Sequence, residues 1–137
     1  MNWRIAIAAL GLVSFAAGCA AQGKKFEPAA APQRDSIIYV YRPYNFFGSA
    51  IDPPVQCGQE TVAIKPGAYH AFIVPPGHVT CTVSAETTDV LDFDAEPRIY
   101  YVRERISLGL LLGRPQLNPA DTDEAQSEIK DCCVQQP

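Results

Sequence analysis

Five cysteines, two histidines and a pair of aspartates two residues apart are the groups through which this chain could do chemistry. Nucleophilic catalysis needs a Ser or Cys with a base at hand to take its proton, and the only imidazoles are His70 and His78. Neither sits in a motif. No Gly-x-Ser-x-Gly elbow occurs, and Gly48-Ser49-Ala50 is too common a tripeptide to mark one. His78 follows a Pro-Gly turn on the polar face of an alternating strand, so period two explains its exposure, and His70 reads as half-buried strand filler. Asp92 and Asp94 share a strand face about 7 Å apart. That spacing suits a glycosidase pair or calcium ligands, yet outward polar residues opposite Leu91 and Phe93 are the ordinary account. Metal sites commonly use Cys-x-x-Cys or paired His, and neither spacing occurs. Vicinal Cys132-Cys133 could hold a soft metal, but a disulfide or buried thiol is the stronger expectation in an exported chain. The residues predict a non-enzyme, with no catalytic residue, metal or cofactor.

The arginines allow recognition rather than catalysis. Arg42 and Arg114 each precede a proline at a predicted strand end, while Arg103 and Arg105 share a face near Tyr39, Tyr41, Tyr100 and Tyr101. Arg42, Arg103 and Arg114 are therefore the candidate surface for an envelope protein or glycan partner, through stacking and forked hydrogen bonds. Arg stacked on Tyr to cap the sheet is the favoured account of the same residues.

Cys19 closes a short leader. One charge, Arg4, precedes uncharged Ile5 to Ala17, the layout of an export signal. As a helix this run reaches only about 20 Å, short of the roughly 30 Å of bilayer hydrocarbon, so cleavage is expected rather than a span. Ala16-Ala17-Gly18-Cys19 resembles the lipobox of bacterial lipoproteins, in which a peptidase cuts before a cysteine that carries lipid. Lipoboxes favour Leu where this chain has Ala16. The alternatives are ordinary cleavage to a soluble periplasmic protein and an uncleaved anchor. Two or three acyl chains hold a protein on a membrane, each buried CH₂ contributing about 0.8 kcal/mol. Asp after the cysteine resembles an inner-membrane retention signal; Ala20 stands here, so an outer-membrane lipoprotein facing the periplasm is expected.

Loss of the leader with its one charge takes the formal net charge from −4 to −5. This mild acidity argues against nucleic acid, which wants a clustered basic face. Four cysteines remain besides Cys19, and an oxidising compartment favours disulfides. Cys57 with Cys81 is the preferred pair, both lying on predicted strands. Adjacent Cys132 and Cys133 could bond each other only through an unusual ring; the alternative ties one of them back to Cys57 or Cys81.

The elements that must position these groups are mainly strands. Residues 1–18 read as signal peptide, 19–35 as the lipidated cysteine and a flexible tether, and 36–133 as the folded domain. Ile37 to Tyr41 is apolar on both faces and predicts an interior strand. Tyr44 to Phe47 is a glycine-broken aromatic loop, expected to fold its own Phe side chains into the core rather than offer them to a partner. Short strands follow around Val55 to Cys57 and Thr61 to Ile64, with a Pro-Gly turn at Lys65-Pro66-Gly67 and a strand from Ala68 to Val74. Val79, Cys81, Val83 and Ala85 alternate with His78, Thr80, Thr82 and Ser84, so Cys81 should point inward. Leu91 and Phe93 alternate with Asp92 and Asp94, and Ile99 to Ile106 is a further strand that Leu108 to Leu112 continues. About seven short strands punctuated by Pro and Gly predict an all-β sandwich. Asp121 and Glu124 stand at capping-box spacing ahead of Ala125 and Ile129, which predicts a short C-terminal helix.

Ile38-Tyr39-Val40-Tyr41-Arg42-Pro43, Phe46-Phe47-Gly48-Ser49, Pro75-Pro76-Gly77-His78, Tyr100-Tyr101-Val102-Arg103 and Gly113-Arg114-Pro115 follow in an order that resembles the bacterial domain-of-unknown-function family twenty-eight forty-six. The resemblance spans about Ser36 to Cys132. It implies a β-sandwich, often in small exported lipoproteins, and brings no activity with it. At Val55-Gln56-Cys57-Gly58 the chain departs from the family's polar turn, which makes a chain-specific disulfide at Cys57 more plausible.

The expected function is thus a membrane-anchored periplasmic lipoprotein, tied to its membrane by lipid at Cys19 and acting as a non-enzymatic binding or envelope-structural module. The rivals are an envelope hydrolase or thiol-active protein, and an assembly accessory docking through Tyr44 to Phe47.

Overall fold

A computed structural model describes residues 24–137, so the leader and Cys19 lie outside the described residues. In chain order the elements are β1 (Ser36–Arg42), β2 (Pro54–Cys57), β3 (Glu60–Ala63), β4 (Ala68–Val74), β5 (Gly77–Ser84), β6 (Thr88–Ala95), β7 (Ile99–Leu108), β8 (Gly113–Pro119), α1 (Thr122–Cys132) and β9 (Val134–Gln135). One sheet runs β8-β7-β1-β4-β9 and the other β3-β2-β5-β6. The chain is an all-β sandwich with a short C-terminal helix.

β1 occupies the centre of the larger sheet, antiparallel to β4 and parallel to β7. Its doubly apolar pattern has a direct cause. Ile38 and Val40 face the second sheet, where they meet Val55, Cys57, Phe72, Cys81, Val83, Val102 and Leu117. Tyr39 and Tyr41 face the other way, under α1, with Tyr69, Tyr101, Ala125 and Ile129. Full burial of one such side chain contributes about 1.5–3 kcal/mol. Asp121 caps the helix, its carboxylate accepting from the Asp123 amide at 3.0 Å. Glu124 does not complete a capping box; it turns to Arg103 instead.

The alternation read for β5 holds: Val79, Cys81 and Val83 are buried and their neighbours face outward. Cys57 and Cys81 are direct partners across β2 and β5 and form a disulfide. The Lys65-Pro66-Gly67 turn closes with the Ala68 amide on the Lys65 carbonyl at 3.0 Å, and Gly67 takes φ +76°, the left-handed position glycine tolerates.

Three expectations are corrected. Leu108 to Leu112 does not continue β7 as a strand: the chain leaves the sheet at Gly109 and returns at Gly113 as β8. β8 is an edge strand, where Pro115 and Pro119 interrupt no second ladder. The described part of the expected tether is not free. Lys25 bridges Val134, the Ala29 amide donates to the Tyr39 hydroxyl at 3.1 Å, and Phe26, 3% exposed, packs edge-on against Tyr39 and Tyr69. Finally, Cys132 and Cys133 are bonded to each other rather than stapled to the core cysteines.

Candidate functional site

β1 ends at Arg42, level with the middle of β7, since Tyr41 pairs with Arg103 and β7 runs on to Leu108. The loop that follows β1 arches across the resulting gap. Its short 3-10 turn, Phe46–Gly48, lies so close to β7 that a Cβ on Gly48 would stand 2.8 Å from the Ile106 Cβ, which accounts for glycine there. A cleft of about 560 Å³ remains between this loop, β7 and the last turn of α1, within the size range of small-molecule sites.

Arg42 builds the loop from beneath. It is 3% exposed, and its guanidinium donates to the carbonyls of Ile64 at 2.8 Å and Ile51 at 2.7 Å, to the Gly48 carbonyl, and to Asp52 at 3.2 Å. The forked, always charged guanidinium satisfies three backbone acceptors that would otherwise lie buried without donors.

Glu104 lines the same cleft on the inward face of β7. Only 1% of it is exposed, and neither carboxylate oxygen has a hydrogen-bond partner. Burial pushes its pKa up to about 7, the Arg42 charge opposing and Asp52 adding to the rise. At neutral pH this acid sits near its midpoint. Protonated, it can donate and accept; ionised, it can hold a cation. The phase of Ile99 to Ile106 carries the signal for this residue, because Val102 and Ile106 point inward and Glu104 must point with them.

On the opposite face of the same strands a closed network stands over the helix. Tyr41 donates to Glu128 at 2.6 Å, and Arg103 donates to Glu128 at 2.7 Å and to Glu124 at 2.8 Å. Burial and then the Glu128 bond raise the Tyr41 pKa. Burial works against the Glu128 charge, but the bonds from Tyr41 and Arg103 outweigh it and hold that carboxyl below its ordinary range. Arg103 also lies over the Tyr41 ring, 5.8 Å from its centroid.

Of the three candidate arginines, Arg42 and Arg103 thus line one cleft with their donors already engaged, Arg42 withdrawn from the surface altogether. Arg114 stands apart at the β7–β8 turn beside Glu86, at 3.4 Å. His78 is exposed beside Asp94 at 3.4 Å and Asp92 at 3.7 Å on the outer face of the smaller sheet, away from Glu104. Half-buried His70 meets Glu60 at 2.8 Å.

The aromatic loop departs from expectation. Phe46 is 77% exposed and Tyr44 and Phe47 are likewise exposed; only Gly48 of the 3-10 turn is buried. Beside them the turn after β7 exposes Leu108, Leu110, Leu111 and Leu112.

No protein-family model, curated protein or solved structure matches the chain.

Proposed function

We propose that the chain is a lipid-anchored periplasmic protein of the outer membrane whose sandwich serves as a non-enzymatic binding module. One observation carries the binding half: Glu104, buried without a partner on the wall of an open cleft. An unsatisfied buried polar group destabilises a fold by about 1–3 kcal/mol, and a polar or cationic ligand would supply the missing partner. The anchoring half rests on Ala16-Ala17-Gly18-Cys19 and on Ala20 behind it. The resemblance to family twenty-eight forty-six supports export and adds no chemistry.

Each half has its own test. Cells fed labelled palmitate should label the wild type and not Cys19→Ala; an unlabelled wild type ends the anchor. A photo-crosslinking side chain at Asn45, on the cleft's rim, should give an adduct in intact cells that Glu104→Leu loses. An adduct indifferent to residue 104 ends the cleft reading.

A thiol-active protein is the second reading, favoured by Cys132 of the vicinal disulfide lining the same cleft. Mild reduction followed by iodoacetamide trapping below neutral pH checks it, because only a thiol of depressed pKa reacts there.

A further inference from the structure

We propose that the exposed aromatic and leucine loops at one end of the sandwich form a second membrane contact, entering the interfacial layer of the bilayer that holds the lipidated Cys19; this rests on the anchoring half of the reading above. Two loops build that end. The first, residues 43–51, carries Tyr44, Phe46 and Phe47; the second, residues 107–113, carries Leu108, Leu110, Leu111 and Leu112. They stand side by side, since a Cβ on Gly48 would touch Ile106 and one on Gly113 would lie 3.0 Å from Ile51. Neither stretch contains a charged residue. Contiguous apolar patches of this kind on soluble domains mark interaction sites.

The leucine loop is built to stay out in solvent. Glu86, on the β5–β6 turn, accepts from the backbone amides of Leu110 at 3.0 Å, Leu111 at 2.9 Å and Leu112 at 3.1 Å. Those three bonds bring the Glu86 carboxyl down to about 2. A side chain at Gly109 would collide with the same carboxylate, so glycine is required at the bend. The carboxylate uses up the amides of the turn and leaves its side chains pointing away, with Leu111 91% exposed.

The chain preceding the described residues sets the occupant. Lys25, Val134, Ala68 and Arg42 lie in one row across the larger sheet, and the aromatic loop leaves from the end of that row. Because Phe26 is docked, only the five residue steps from Cys19 to Lys24 separate the anchor from the domain. They reach roughly 17 Å at full extension. Leu108 stands four residues along β7 beyond the level of Arg42 and Glu104, about 13 Å ahead of the row. The tip therefore projects toward the anchor's membrane by a distance comparable to the whole reach of the tether. Phe, Leu and Tyr side chains on such a projection match the bilayer interface, and exposed Arg105 and Arg114 stand behind them at the depth of the headgroups.

Trp placed at the tip reads this directly. The sequence has one Trp, Trp3, in the leader; with Trp3→Phe, each new Trp reports alone. Full-length protein purified from membranes is reconstituted into vesicles of phosphatidylethanolamine and phosphatidylglycerol containing brominated phosphatidylcholine. Phe46→Trp and Leu111→Trp should show blue-shifted emission and quenching by the brominated lipid, unchanged at high salt. Ile73→Trp, exposed at the opposite end of β4, should show neither. Leu110→Asp with Leu112→Asp should abolish quenching at Phe46→Trp while palmitate labelling persists. Labelled protein whose tip Trp stays unquenched, or is quenched no more than Ile73→Trp, overturns the proposal and leaves the anchor standing. An unquenched tip that crosslinks to a protein in intact cells also overturns it, in favour of a protein partner. Loss of palmitate labelling from the wild type is a separate result and ends the anchor itself.

Discussion

Two arginine–glutamate pairs occupy neighbouring positions on β1 and β7 and meet opposite fates. Arg103 points outward toward α1, where Glu124, Glu128 and Tyr41 satisfy it and are satisfied in return. One residue away on each strand, Arg42 and Glu104 point inward. Arg42 finds carbonyls and Asp52, and Glu104 finds no partner. The outward set is a closed network that pins the helix. The inward set is closed on the arginine's side and open on the acid's. A fold that can satisfy one acid fully, yet leaves its neighbour unpaired beside a cleft, separates groups that hold the structure from a group available to a ligand.

The largest effect expected from breaking this contrast is at Arg42. Arg42→Met strands the carbonyls it serves and should lower unfolding free energy by about 3–5 kcal/mol, while Arg103→Met on the half-exposed network should lower it by about 1–2 kcal/mol. Urea titrations of both variants check the ranking, and equal losses would erase the contrast.

Glu104 comes next. Its pKa is about 7 in the fold and ordinary, near 4.5, in the unfolded chain. The folded state therefore binds more protons between those values, and stability should fall as pH rises from about 4.5 through 7. The drop should approach 3 kcal/mol, and Glu104→Gln, which cannot ionise, should flatten it. Unfolding curves across that range measure both slopes.

A smaller effect sharpens the outward side. Tyr41→Phe removes one donor from Glu128 but leaves Arg103 in place, and should cost about 1 kcal/mol. Glu128 is held below its ordinary range, so the network's contribution is present above that range and lost on acidification; Tyr41→Phe should move the loss to higher pH, as thermal melts would show. The smallest effect is local. Glu86→Gln should release the amides of Leu110, Leu111 and Leu112 to rapid hydrogen exchange with little change in global stability. Wild-type protection there should persist above the ordinary carboxylate pKa and fade as pH falls toward 2, because the lowered value belongs to the folded state.

The sequence displays most strongly what depends on neighbours along the chain. Period two placed Val79, Cys81 and Val83 inside and, through them, the Cys57–Cys81 pair. Proline and glycine placed the turn before β4. The same punctuation concealed β8, because Gly113 and Pro115 look like breakers and become strand residues only against the edge of β7. β9 and the docking of Phe26 depend wholly on distant partners, Ala68 and the tyrosine cluster, and leave no local signature. The exposed phenylalanines reversed the expectation of burial because Gly48, not an aromatic ring, fills the space beside Ile106. Glu104 was legible in principle from the phase of its strand. Its lack of a partner was not, since that depends on Arg42 turning to the loop.

The clasp of Lys25 and Phe26 has a consequence for timing. The strand that receives Lys25 is β9, the last strand described, and the Gln135 amide reaches back to the Lys24 carbonyl at 3.4 Å. A chain threaded through a channel from its N-terminus presents Phe26 long before Val134 exists on the far side. Closure of this first segment must wait for the last one, a contact of high sequence separation and correspondingly slow formation. Until then the residues next to Cys19 stay extended and accessible, which is the state a processing enzyme working at that cysteine requires.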